Sequence, residues 1–395
     1  MADNKDKKVL NVPALRFPEF SGEWEKLRLS DFATKITKKN KGNIVKNVLC
    51  NSANLGLVPQ GNYFDREIAN TENTDGYYVI CNGDFVYNPR KSTAAPFGPV
   101  NIYEGEDAGI ISPLYLCFSV HNIFPKFLYY RFKSSAWHSY VYSHGDSGVR
   151  FDRVSIKDDV FFDMPIYKPA QDEQIKIATL LQLIDDRIST QNKIIEDLKK
   201  LKSAIADKLY SSTKGETYSF RQLFDVINER NKKLTYSNVL SASQELGMIE
   251  RSDINKDIKF EQDSISGYKI VRNGDYVVHL RSFQGGFAFS DRTGICSPAY
   301  TILHPNDLVA YGYLSHFFIS KPFIKSLKLV TYGIRDGRSI NVDEWLDMTV
   351  TLPTKREQSH ILAIINAIDN KLHNENQIHN YMFRQRTYLL KTMFI

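Results

Sequence analysis

From Gln171 to Tyr210 the chain carries no glycine or proline, and its apolar positions fall at Ile177, Leu181, Ile184, Ile188, Ile195, Leu198, Ile205 and Leu209. Gln191 and Lys202 fill two lapses in this series. With them the spacing alternates between four and three residues, a heptad seam along one face of a long helix. The seam returns 184 positions later at Ile361, Ile365, Ile368, Leu372, Glu375, His379, Met382, Arg386, Leu389 and Met393. Helices of this length reach roughly 60 Å and are stable only against another long helix, so the two are predicted to pack on each other as a coiled coil.

Ahead of each seam the pattern changes. Short β-rich runs such as Tyr77-Tyr-Val-Ile and Phe85-Val-Tyr are punctuated by Asn-Gly, Asn-Pro and Gly-Pro turns, with a helix-like stretch from Lys126 to Tyr142. A second front of the same texture runs from Ser219 to Leu352. The predicted class is α+β.

The fronts repeat as well. Cys81-Asn-Gly-Asp-Phe-Val-Tyr-Asn-Pro-Arg90 returns as Arg272-Asn-Gly-Asp-Tyr-Val-Val-His-Leu-Arg281, and Leu29-Ser-Asp31 is matched to Leu223-Phe-Asp225. Gly109-Ile-Ile-Ser-Pro-Leu-Tyr115 returns as Gly294-Ile-Cys-Ser-Pro-Ala-Tyr300, and Gly148-Val-Arg150 as Gly333-Ile-Arg335. Pro169-Ala-Gln-Asp-Glu-Gln174 returns as Pro353-Thr-Lys-Arg-Glu-Gln358. The order holds while the offset drifts from 194 to 184, so the chain is two copies of one unit. A pseudo-two-fold relation between copies makes the paired helices antiparallel. The predicted layout is a front domain over 1–170, a helix over 171–212, a second front over 213–354 and a second helix over 355–395.

Composition narrows the class without naming a chemistry. Hydrophobic content of 42% is ordinary for a globular protein, no apolar run is long enough to span a bilayer, and the polar start is no secretory signal. A soluble, cytoplasmic protein with no membrane partner is expected. Cys50, Cys81, Cys117 and Cys296 lack metal-ligand spacing and are read as buried thiols. The net charge of +6 permits an anionic partner. Lys35, Lys38, Lys39, Lys41 and Lys46 cluster in the first copy, and Arg230, Lys232 and Lys233 at the matching place in the second. Each cluster alone is explained by a solvated face. Their recurrence makes a phosphate-facing surface an equal reading.

This arrangement resembles the specificity subunit of type I restriction-modification systems. The resemblance rests on Pro13-Ala-Leu-Arg-Phe-Pro-Glu-Phe-Ser-Gly-Glu-Trp24, the two Asn-Gly-Asp turns at 82–84 and 273–275, and the two Pro-x-x-x-Glu-Gln helix starts at 169–174 and 353–358. It implies that each front is a target-recognition domain reading one half of a bipartite site in double-stranded DNA, with the helices setting the unread spacer. It implies as partners two methyltransferase subunits, docked on the helices and recognition domains, and restriction/translocase subunits. It places S-adenosylmethionine, Mg²⁺ and ATP in those partners, with no cofactor and no catalysis in this chain. The residues agree on the last point. A self-sufficient adenine methyltransferase needs an Asn/Asp-Pro-Pro-aromatic loop, whereas Asn88-Pro-Arg90 has no second proline. Asp158-Asp159 and Asp185-Asp186 read as a solvated turn and an exposed helix face.

Arg90 and Arg281, on loops of small residues after the Asn-Gly-Asp strand, are candidates for a base edge or phosphate; pairing with a carboxylate of their own domain is the alternative. Arg150 and Arg335 follow glycines on polar loops, where ordinary β-turns account for the glycines but not for the repeated arginine. His144, Tyr332 and Arg338 lie on the same loops, and Lys38, Lys39 and Lys91 complete the DNA-contact set. Asp84 and Asp275 are read as turn scaffold. Gln191, Lys202 and His379 are read as register or packing residues. A two-domain coiled-coil adaptor that binds proteins is the alternative function.

Overall fold

The central strand of each front domain is buried on both faces, and its period of two divides it between two cores. Phe85 and Tyr87 enter one apolar cluster while Val86 enters another; Tyr276 and Val278 likewise part from Val277. The computed structural model describes residues 10–63, 74–145, 152–243, 246–254, 262–279, 286–332 and 339–395. They form two compact units, 1–191 with 378–395, and 192–377.

The first unit contains β1 (Glu25–Arg28), β2 (Ala33–Lys35), β3 (Leu49–Ser52), β4 (Gly56–Pro59), β5 (Tyr78–Ile80), β6 (Phe85–Tyr87), β7 (Val100–Ile102), β8 (Gly109–Ile111) and β9 (Leu116–Val120). Helices α1 (Pro125–Lys133), α2 (His138–His144) and α3 (Asp158–Phe162) follow, then β10 (Pro165–Lys168) and the long α4 (Gln171–Ser211). A four-stranded antiparallel sheet has the order β2-β9-β6-β7, flanked by the pairs β1-β10, β3-β4 and β5-β8. Rings fill the gap between sheet and helices: Phe85 stacks on Phe118 at 5.2 Å and Tyr87 on Phe161 at 4.7 Å. The stretch predicted as one helix from Lys126 to Tyr142 is two. The Ser134 hydroxyl donates to the Arg131 carbonyl and accepts from the Ala136 amide, which ends the first helix and starts a new turn.

The second unit repeats this plan. It contains β11 (Glu216–Ser219), β12 (Phe224–Ile227), β13 (Leu240–Ser243), β14 (Gly247–Glu250), β15 (Lys269–Val271), β16 (Tyr276–Val278), β17 (Phe287–Phe289), β18 (Gly294–Cys296) and β19 (Thr301–Pro305). After α5 (Tyr313–Phe317) and α6 (Lys321–Ser326) come the added pair β20 (Thr331–Tyr332) and β21 (Ser339–Ile340). The unit closes with α7 (Val342–Asp347), β22 (Thr349–Leu352) and the second long helix, α8 (Lys355–Thr392). The order β12-β19-β16-β17, with β11-β22, β13-β14 and β15-β18, matches the first unit strand for strand. Phe220 stacks on Trp345 at 4.4 Å in its core.

Backbone hydrogen bonds correct one anchor of the repeat. Leu29 N–H donates to Met164 O and Phe220 N–H to Met348 O, both at 2.9 Å, so Leu29 corresponds to Phe220 rather than to Leu223. Asp31 and Gln222 then play the same part, each accepting the amide three residues before it. The Leu-x-Asp echo is a coincidence of side chains three positions out of register. The offset is 191 here, as it is at Asn-Gly-Asp.

The long helices pack within each unit. In the first, Ile177, Leu181 and Ile184 of α4 share a core with Leu389, Leu390 and Met393 from the far end of α8, so the two helices run antiparallel. In the second, Lys202 of α4 reaches Asp369 of α8 at 2.6 Å, and Tyr210 and Ile361 pack against one core. All twenty seam positions are buried or half-buried, including Ile188, Ile195, Leu198, Leu209, Ile365, Ile368, Leu372 and Met382. The expected exposed face at Asp185-Asp186 holds only for Asp186. Asp185 is half-buried, ion-paired to Arg386 and hydrogen-bonded by Tyr130 Oη at 3.1 Å.

The two Glu-Gln helix starts do different work. Gln174 and Gln358 act alike: each side chain accepts a backbone amide shortly ahead of a front-domain helix (Phe124, 2.8 Å; Ala310, 2.7 Å) and donates to Pro169 O or Pro353 O. Glu357 closes a capping box with Thr354. Glu173 has only Ala170 at the matching position and instead receives both arms of Arg16, at 2.7 and 2.8 Å, and Trp24 Nε1 at 3.4 Å. The thiols also differ from expectation. Cys117 and Cys296 are buried, but Cys50 is half-buried and Cys81, at the Asn-Gly-Asp turn, is exposed.

Candidate nucleic-acid interface

Two basic loops, after β2 and β12, are held by the same side-chain lock. Asn40 and Asn231, both buried, fold their side-chain amides back on their own loops. Asn40 Nδ2 donates to Val45 O at 2.9 Å and its Oδ1 accepts Val45 N–H at 3.0 Å; Asn231 bonds Tyr236 in the same two ways at 2.8 and 3.2 Å. The main chain of each is pinned to the strand ahead of Asn-Gly-Asp, Asn40 N–H to Tyr77 O and Asn231 N–H to Tyr268 O. Lys38, Lys41 and Lys46 project from the first loop, and Arg230, Lys232 and Lys233 from the second, all exposed. Lys39 is held differently, its ammonium 3.4 Å from the centre of the Tyr78 ring.

The Asn-Gly-Asp turns are scaffold in both copies. Gly83 and Gly274 take φ of 88° and 96°, and Asp84 and Asp275 accept the amides of Cys81 and Arg272 at 2.6 and 2.7 Å. Asp275 also meets His304 Nδ1 at 2.6 Å. Burial holds the Asp84 carboxyl above its ordinary range, with the Cys81 amide pulling it back.

Arg90 stands at the far end of the first turn's strand, bridged backbone to backbone with Arg153. Its Nε lies 3.9 Å from Asp152, both side chains largely exposed, and such a pair contributes little to stability. Lys91 is exposed, its amide bound to Asp152 O at 2.8 Å. Arg153 lines a cleft of about 480 Å³ with Lys35, Tyr78, Tyr87 and Tyr115. Burial raises the Tyr115 phenol, and Arg90 and Arg153 partly offset that rise. Lys35 is held by Asp158 at 2.5 Å, which begins a short helix where a turn was expected. In the second unit the matching Tyr300 has His279 6.0 Å away, at the position that Asn88 holds in the first, where its Oδ1 accepts the Arg90 amide.

His144 closes α2, stacked on Tyr140 with ring centres 4.1 Å apart and Nδ1 2.9 Å from Tyr140 O. Arg150, Arg281, Arg335 and Arg338 lie outside the described residues, and Tyr332 is described by its backbone alone, paired with Ser339. The structure therefore brings Arg90 and Lys91 into one region and places Lys38 and Lys39 on the locked loop. Sequence reading passed over Arg153, Tyr115, Asn40 and Asn231. The asparagines had a signal: Lys39-Asn-Lys41 and Arg230-Asn-Lys232 repeat at the offset of 191 that Asn-Gly-Asp sets. Arg153 had none, since only strand pairing puts it beside Arg90.

Duplicated sheet order, an antiparallel helix pair in each unit and unlike loops on a common frame define a class: the fold is that of type I restriction-modification S subunits. It matches the S subunit of M. genitalium with a TM-score of 0.54 at 14% identity, covering 97% of this chain and 99% of that one. It matches a chain from a structure of type I R-M complex assembly and conformational transition with a TM-score of 0.60 at 12% identity, covering 93% and 96%. In sequence, the chain is 23% identical to the type I restriction enzyme MjaVIII specificity subunit of Methanocaldococcus jannaschii, over 93% of this chain and 90% of that protein. No protein-family model matches the chain.

Proposed function

We infer that this chain is the DNA sequence-specificity subunit of a type I restriction-modification complex and is itself non-catalytic. Each unit reads one half of an asymmetric bipartite site. The long helices set the spacer and dock two methyltransferase subunits, to which restriction/translocase subunits add cleavage. S-adenosylmethionine, Mg²⁺ and ATP serve those partners in this reading. The observation that carries it is one strand order written twice with different side chains at matching places: His279, 6.0 Å from Tyr300, stands in the second copy where the first has Asn88, whose Oδ1 accepts the Arg90 amide. A protein that reads two different half-sites with one scaffold has this form. Among the described residues no helix is long and apolar enough to cross a membrane, which suits a partner in the DNA-containing compartment.

The test is to assemble the chain with its methyltransferase partner and map methylated adenines. Replacing the second front domain by that of another such protein is expected to change one half-site only. A change in both halves, or in neither, overturns the modular reading.

A further inference from the structure

The Asn40 and Asn231 loops share more than charge. Asn43 and Leu234 occupy the same left-handed position, φ 51° and 53°, and each donates its amide to the asparagine carbonyl three residues back, at 3.0 and 2.9 Å. The side chains that differ, Asn43 against Leu234 and Val45 against Tyr236, leave these hydrogen bonds in place, while the backbone between them differs: Gly42 takes φ 75° where Lys233 is not left-handed, and Lys232 N–H donates to Arg230 O at 2.8 Å. The cations are retained: Lys39 corresponds to Arg230, and Lys41 to Lys232. Other surface cations are neutralised locally, Lys35 by Asp158, Arg221 by Asp347 and Arg272 by Glu229. Among the described residues, no carboxylate lies within ion-pair distance of Lys38, Lys41, Lys46, Lys232 or Lys233. Holding a loop of like charges rigid works against folding to the extent that those charges repel, and among the described residues no carboxylate within ion-pair distance offsets them.

We propose that these loops are a matched pair of phosphate anchors, one per unit, in which Lys41 and Lys232, supported by Lys38, Lys46 and Lys233, contact the DNA backbone independently of sequence. This rests on the DNA-reading function inferred above and divides its labour. The locked loops are alike in both copies and position the duplex; the divergent chemistry beyond Asn-Gly-Asp discriminates bases. Lys39, already over Tyr78, stiffens the first loop. The buried asparagines are positioning residues, since a preorganised loop loses less conformational freedom when it binds.

The test uses the full chain assembled with its methyltransferase partner. Binding is measured across a salt series to a duplex carrying the mapped site and to one lacking it. Lys41→Gln and Lys232→Gln are each expected to flatten log K against log salt by about 0.9, and to weaken both duplexes by the same factor so that their ratio is unchanged. Asn40→Ala and Asn231→Ala are expected to weaken both duplexes equally while the lysines remain. An unaltered salt slope, or a loss confined to the cognate duplex, overturns the proposal. Should the unsubstituted complex bind no duplex DNA, the DNA-reading function fails first. Binding by that complex with indifferent lysine variants removes the anchors alone.

Discussion

Lys202 Nζ lies 2.6 Å from Asp369 Oδ1, and the offset of 184 relates this pair to a second: Asp185 corresponds to Asp369, and Lys202 to Arg386, which is paired with Asp185. One lapse in each apolar seam, Lys202 in the first and Arg386 in the second, is thus occupied by a cation that reaches an aspartate on the opposite helix, once in each unit. Sliding either helix by one heptad would part both pairs and leave half-buried charges unmatched.

Charge reversal tests this coupling. Lys202→Glu places like charges together and is expected to cost about 1 kcal/mol, a modest figure because both groups keep contact with water. Asp369→Lys added to it should recover most of the loss in urea denaturation. Additive losses in the double variant would mean that the pair does not set the register.

His316 stands on the same site, 3.8 Å from Asp369 and mostly buried. Burial, then the nearby Lys202 ammonium, hold its imidazole below the ordinary 6.5, with Asp369 and Asn366 opposing. The folded chain therefore binds this proton less readily than the unfolded one. Stability is full above the unfolded value and is lost as pH falls through 6.5 toward the lower folded one. His316→Gln should flatten that part of the stability–pH curve, read by thermal melts between pH 7.5 and about 5. A curve that stays parallel to the unsubstituted one would show that His316 does not titrate differently on folding.

The two Glu-Gln motifs should respond unequally. Glu173 is buried, and Arg16→Ala strands its carboxylate beside Trp24, a loss of about 3 kcal/mol. Glu357→Gln, on an exposed cap, should leave the melting temperature little changed. Equal effects from the two substitutions would contradict the division seen here.

Alkylation separates the thiols. Cys81 is exposed and should label in the native protein, whereas burial pushes Cys117 and Cys296 up to about 12 and shields them. Mass spectrometry after brief iodoacetamide treatment, with and without denaturant, checks this. Native labelling of Cys117 or Cys296 would show that these cores open readily.

Local spacing and repeated short motifs determined the α+β class, the duplication and both long helices. Those features are written in local spacing, four-and-three along the helices and two along the strands, and a period survives substitution of the residues that carry it. Asn-Gly-Asp was legible for the same reason, since its turn geometry depends on residues adjacent in sequence. Tertiary structure decided what depends on distant residues. Strand pairing set Arg90 beside Arg153. Hydrogen bonds moved the first anchor from Leu223 to Phe220, and burial made Asn40 and Asn231 the locks of the basic loops. It also gave Glu173 and Glu357 different tasks under one motif, because only the first has Arg16 and Trp24 folded over it.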